Sequence, residues 1–145
     1  MLIVGELINS SRKAIKEAID AEDAEAIKKI ARDQAECGAD YIDVNAGTYV
    51  GKEDQYMKWL ISTVQEVVDT PCCIDSPDPK VVEAALKLHK GTPMLNSISL
   101  EKERWDALLP VVAGSDLKVI ALCMSDSGMP ESKDDRLSIA SELVN

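Results

Sequence analysis

The sequence predicts an α/β fold of the (β/α)8 barrel type, with about the first five βα units present. Three observations predict it. Short apolar runs alternate with longer segments of helical period. The runs end near residues 6, 43, 75, 96 and 124, a beat of roughly 20 to 40 residues that suits successive βα units. Each run also closes on an acid, an amide or a small polar residue. Side chains at the C-terminal ends of parallel strands share one crevice, and α/β proteins bind their ligands there.

The elements follow in order. Leu2–Glu6 reads as the first strand. A short helix starts at Ser11, with Ile15, Ala18 and Ile19 on one face. A second helix covers residues 24–37, striped by Ile27, Ile30, Ala31 and Ala35, and Gly38 stops it. Tyr41–Asn45 is the second strand, and Ala46-Gly47-Thr48 a loop. Residues 53–68 form a long helix on Met57, Leu60, Ile61, Val64 and Val68. Cys72–Asp75 is the third strand. Asp78 then caps a helix with Pro79 at its first position, running to Gly91. Met94–Asn96 is the fourth strand. Residues 101–112 are helical, with Trp105, Leu108, Leu109 and Val112 turned inward and Gly114 after them. Lys118–Met124 is the fifth strand. Pro130 introduces a last helix carrying Leu137, Ile139, Ala140, Leu143 and Val144.

Two architectures accept this order. An open doubly wound sheet wants a glycine-rich phosphate turn after the first strand, and Gly5-Glu6-Leu7-Ile8-Asn9 is not one. A barrel wants ligand groups at every strand end, as seen here. A complete barrel takes roughly 250 residues, against 145 in this chain. An unclosed barrel exposes two strand edges, which invite pairing with other chains. The expectation is therefore a single-domain partial barrel over residues 1–145, as a truncated piece or one half of a two-chain assembly, forming a homo-oligomer, most simply a dimer.

Composition narrows the partners. The chain is 46% hydrophobic but only 3% aromatic, with no Phe, so the core is aliphatic. The net charge of −10 argues against nucleic acid and against anionic membrane. No stretch is long enough for a membrane helix, and MLIVGELINSS lacks the basic start of a signal peptide. Cys37, Cys72, Cys73 and Cys123 form no CxxC pair and read as small, reduced, buried hydrophobes of a cytoplasmic protein. Cys72 and Cys73, adjacent on a strand, point to opposite faces. The one histidine, His89, sits near a helix end, where it would complement the helix dipole.

The crevice itself is acidic and amidic. No Lys, Arg or His lies at a strand end, which disfavours a phosphate clamp and favours a neutral, hydrogen-bonding heterocycle. A carboxylate accepts from an amino group and a ring N–H, and an amide reads a mixed edge.

MLIVGELIN, DYIDVNAGT, CCIDSPDPKVVEAAL and PMLNSIS stand in this order and spacing. Together they resemble the pterin-binding methyltransferases, most of all the methyltetrahydrofolate:corrinoid/iron-sulfur protein methyltransferase family. The same domain occurs in cobalamin-dependent methionine synthase, and dihydropteroate synthase is a more distant relative. The resemblance implies a TIM barrel that holds methyltetrahydrofolate at its strand ends and moves a methyl group between the folate and the cobalt of a separate corrinoid (cobalamin-type) protein. It implies that Asp75 and Asn96 hydrogen-bond the pterin, that Asp43, Asn45, Glu6 and Asn9 line or support the site, and that Ser97 and Met124 are further contacts. The later strands of the family add an Asp and an Asn that this chain does not contain. Where relatives have an Asn after the fifth-strand Met, this chain has Ser125. Two other readings stay open: a pterin-binding piece that needs the rest of the barrel for turnover, and a dihydropteroate synthase-like enzyme, which would want a basic residue for a pyrophosphate leaving group.

Overall fold

Helical crossovers of this length return each strand parallel to the last, and sequential order then closes toward a barrel rather than an open doubly wound sheet. The computed structural model, which describes residues 1–144, has that order. β1 (Val4–Asn9), β2 (Tyr41–Asn45), β3 (Cys72–Asp75), β4 (Met94–Leu100) and β5 (Lys118–Ser125) form one sheet in the order β1-β2-β3-β4-β5. All four pairings are parallel. Between them run α1 (Lys13–Asp20), α2 (Ala24–Glu36), α3 (Glu53–Gln65), α4 (Pro79–Leu88) and α5 (Lys102–Val112), with α6 (Lys133–Leu143) last. The chain is thus an α/β partial barrel. β1 and β5 each pair with one neighbour only, so both edges are open as expected. No helix among the described residues is long and apolar enough to cross a membrane.

The two faces of the sheet carry different chemistry. One face packs on the helices through Ile42, Val44, Ile74 and Leu95, all fully buried, against Ile27, Ala31, Met57, Leu60, Ile61, Val82 and Leu108. The other face has a small apolar floor of Tyr41, Cys73 and Met94, with Val4 and Ile120 packed on it. Because side chains alternate along a strand, this inner face continues upward through Asp43, Asn45, Asp75 and Asn96. Cys72 and Cys73 do fall on opposite faces, one in each cluster.

The largest departure from the sequence reading is in β1. It runs to Asn9 rather than ending at Glu6, because a register shift between Gly5 and Ile8 inserts an extra residue opposite β2. The displaced Leu7 N–H is taken by Gln34 Oε1 of α2 at 3.0 Å. That side chain reaches the strand because residue 5 has no Cβ; one there would lie 2.5 Å from Gln34 Oε1.

Other differences are local. α2 ends at Glu36 as Gly38 takes φ +89°, and α3 ends at Gln65, three residues early. Asp78 caps α4 through Lys80 N, with Pro79 leading the helix. That helix ends at Leu88, before Gly91, because His89 leaves it. His89 Nε2 accepts the Cys72 N–H at 2.9 Å, and burial lowers its pKa. It is a neutral acceptor tying α4 to β3, not a charge on the helix dipole.

β4 continues four residues past Asn96 and β5 one past Met124. On α5 only Leu108 is buried; Trp105 and Val112 are half-buried and Leu109 is exposed. α6 starts at Lys133 on a Ser132–Asp135 capping box, three residues after Pro130, and buries none of its residues. Of the cysteines only Cys72 and Cys73 are buried; Cys37 is exposed beyond α2 and Cys123 half-buried on the edge strand.

Gly5→Ala is expected to lower stability by about 1–3 kcal/mol, the usual range for overpacking. The same substitution in a Gln34→Ala background costs less. Urea midpoints of the four proteins measure this coupling.

Candidate ligand-binding site

Parallel register lines up the polar residues above the apolar floor. Asn45 lies beside Asp75, and Asp75 beside Asn96. Asp43 is one step lower, beside Cys73. The side chains then pair across strands. Asn45 Nδ2 donates to Asp75 Oδ2 at 2.8 Å. Asn96 Nδ2 donates to Asp43 Oδ2 at 3.1 Å, reaching over β3. Two carboxylates and two amides thus form a crossed pair of acid–amide bonds on the inner face.

The four groups differ in what they leave for a ligand. The Asn45 carbonyl oxygen is already used, accepting from Ser10 Oγ at 3.2 Å and Gly47 N at 3.0 Å. Asn45 therefore acts as a brace between the loop after β2 and Asp75. Asp75 and Asn96 are half-buried. Among the described residues, Asp75 Oδ1 and Asn96 Oδ1 have no hydrogen-bond partner, so both remain as available acceptors.

Asp43 is 2% exposed, and its carboxyl is pushed up to about 6. Burial is the main cause; Asp75 and Glu6 add to it, while hydrogen bonds from Asn96 and the Cys73 thiol oppose it. Burial likewise raises the Cys73 thiol, which stays protonated and donates to Asp43. The crevice thus holds one acid that titrates near neutrality.

The remaining expected residues lie at the margins. Glu6, in the β1 irregularity, is exposed but near enough to repel Asp43. Asn9 Oδ1 holds the turn into α1, accepting from Ser11 N at 2.9 Å and Ser11 Oγ at 2.7 Å. Ser97 is buried, its carbonyl accepting from Arg104 Nε at 2.9 Å and its hydroxyl from Arg104 Nη2 at 3.3 Å. Met124 is half-buried on β5. Two clefts, of about 450 and 490 Å³, include none of Asp43, Asn45, Asp75 and Asn96 in their lining. One lies between β5 and α6, lined by Ser125, Met129 and Asp135, and the other beside Pro77, Glu101 and Arg104.

Three residues of this architecture went unread in the sequence. Gln34 pins β1, Arg104 holds Ser97 of β4 just after Asn96, and Cys73 lies beside Asp43. Gln34 had a local signal, being a polar residue beside the apolar stripe of α2. Arg104 and Cys73 had none, since their partners are fixed by register and packing.

The chain is an α/β partial barrel whose inner face gathers acids and amides at its strand ends. Comparison with known proteins gives the family. Residues 5–144 match the family of pterin binding enzymes, and the chain belongs to that family. It is 38% identical over 146 aligned positions to a methylcorrinoid:tetrahydrofolate methyltransferase from Eubacterium limosum, covering 99% of this chain and 54% of that protein. It is 30% identical to a methionine synthase from Mycobacterium tuberculosis, covering 100% of this chain and 13% of that protein. A methionine synthase from Mycobacterium leprae is 29% identical, with 12% of its length covered. The chain therefore spans about half the first relative and a small part of the others.

The Asp43 shift has a direct consequence for stability. A carboxyl raised from 3.8 to about 6 on folding favours the native state fully below its ordinary value, and that contribution is lost as pH rises through about 6. Asp43→Asn is therefore expected to gain stability relative to wild type between about pH 4 and pH 7.5, by on the order of 1–3 kcal/mol. Urea denaturation across that range tests it. A pH-independent difference would show that Asp43 ionises normally.

Proposed function

We propose that this chain is the pterin-binding part of a methyltransferase that moves a methyl group between methyltetrahydrofolate and the cobalt of a corrinoid protein. The observation that carries the reading is the crossed acid–amide pair, which leaves Asp75 Oδ1 and Asn96 Oδ1 as adjacent acceptors on neighbouring strands. A pterin presents an amino group and ring N–H groups, and two acceptors side by side suit such an edge. Each charge-assisted bond contributes about 1.5–3 kcal/mol. Membership of the pterin binding family and likeness to a methylcorrinoid:tetrahydrofolate methyltransferase support the same assignment.

The chemistry asks little covalent work of this chain. The partner's corrinoid, when bound, supplies the cobalt nucleophile. When methyltetrahydrofolate is the methyl donor the folate nitrogen must leave, and it leaves well only when protonated; in the reverse direction that nitrogen is the methyl acceptor. The role left for this chain is to hold the ring by Asp75 and Asn96 and to orient the methyl group for in-line attack. The crevice residues Asp43, Asn45, Asp75 and Asn96 carry carboxylates and amides already bonded to one another, which suits a positioning site. Glu6 and Met124 would border the ring, while Asn9, Asn45 and Ser97 would support its walls. We place the protein in the cytoplasm on the strength of its unpaired thiols. Its open sheet edges favour self-association, most simply as a dimer.

A second reading is favoured by one observation: the chain covers 54% of the methyltransferase relative. On that reading it binds the pterin, but turnover needs further barrel strands.

Calorimetric titration with methyltetrahydrofolate is expected to show saturable binding, with affinity at least about tenfold weaker in Asp75→Ala. Equal affinity in the mutant would remove Asp75 from the site. A methyl-transfer assay with methylated corrinoid protein then separates turnover from binding alone.

A further inference from the structure

We infer that Asp43 is a positioning residue that sets the polarity of the site: by holding the amino group of Asn96 it turns the Asn96 carbonyl toward the ligand, so that the site takes an N–H donor at this point. This rests on the pterin reading only for the identity of the ligand; the orientation of the amide is a property of the chain.

The geometry leaves one arrangement when Asp43 is ionised. A carboxylate has no hydrogen to donate, so the group facing it must be the amide NH2. Asn96 Nδ2 is that group, 3.1 Å from Asp43 Oδ2. Its Oδ1 then faces the crevice beside Asp75, its neighbour in register. Protonated Asp43 carries an O–H and bonds best to a carbonyl. The Asn96 amide then gains by turning over, which presents NH2 to the ligand and converts an acceptor into a donor. Asn45 has no such freedom, because Ser10 and Gly47 hold its oxygen while Asp75 holds its nitrogen.

The surroundings bring the exchange into reach. Facing Asp43 are Glu6 from β1, Cys73 and Asp75 from β3, and Asn96 from β4. Tyr41 lies two residues below on β2, with Lys118 of β5 over its ring at 5.5 Å from the centroid. The groups acting on Asp43 thus include two carboxylates and no cation, and burial adds to their effect, so the carboxyl titrates at about 6. Asp75 and Glu6 do not bond to the Asn96 amide, so its orientation follows Asp43.

The test uses the full chain in two arms. In the first, ligand-free protein is labelled with 15N and 13C, and the Asn96 side-chain amide and the Asp43 carboxyl are followed by NMR from about pH 7.5 to about pH 5. Asn96 is expected to shift with the same midpoint as Asp43 and to stay constant in Asp43→Asn. An Asn96 amide that does not move while Asp43 titrates overturns the proposal. In the second arm a 5-deazatetrahydropterin is titrated over the same range; it keeps the ring donors but lacks the basic N5. Its affinity for wild type is expected to be about tenfold weaker at the acid end, because only the ionised fraction is competent, and to vary less than about twofold in Asp43→Asn. Wild-type affinity that is flat with pH overturns the proposal. If the amide turns with Asp43 but no pterin binds at any pH, the orientation role stands and the pterin reading falls.

Discussion

The crossed bonds between Asp75 and Asn45 and between Asp43 and Asn96 are the constraint on which the inner face depends. A carboxylate buried as deeply as Asp43 is tolerated only with hydrogen bonds to replace water. Asn96 of β4 supplies one by reaching across β3, so the acid is satisfied only when β2, β3 and β4 are in register. A one-residue slip would turn every one of these groups to the helix side, against Ile27, Met57 and Leu60. The apolar face therefore protects the polar one, and the register that buries Ile42, Ile74 and Leu95 is the register that assembles the site.

Supports from outside the sheet keep that register at the crevice. Gln34 reaches from α2 to absorb the extra residue in β1, and Gly5 makes room for it. His89 ties the end of α4 to the first N–H of β3. Arg104 grips Ser97 just after Asn96. Within the sheet, Asn45 joins the loop after β2 to Asp75. The Gln34, His89 and Arg104 contacts would lose their geometry if their helices shifted, so the helices position the site as well as covering the sheet. At the β5–α6 end α6 buries no residue, and β5 is half-exposed or exposed along its length.

Much of this was legible because it follows from periodicity. The parallel βα order, the strands β2 and β3 and the Asp78–Pro79 helix start all read directly from apolar alternation and capping chemistry. The gathering of Asp43, Asn45, Asp75 and Asn96 followed from their place at strand ends. Contacts between distant elements were not legible. In GELIN only Gly5 hints at an irregular strand, because the group that takes up the irregularity sits on α2. His89 was misread for the same reason, its partner being the backbone of β3. α6 carries apolar residues, yet Leu137 is exposed, since composition does not say whether anything covers a helix. The division of labour between Asn45 and Asn96 depends on which oxygen each has already committed, and only coordinates give that.

Membership of the pterin binding family and the donor-seeking face of Asp75 and Asn96 converge on one ligand class. The most direct measurement is a crystal structure of the chain grown with methyltetrahydrofolate. The account predicts the pterin ring on the inner face, with ring or amino N–H groups about 3 Å from Asp75 Oδ1 and Asn96 Oδ1. A pterin bound elsewhere, such as the cleft between β5 and α6, with both acceptors left to water, would contradict it.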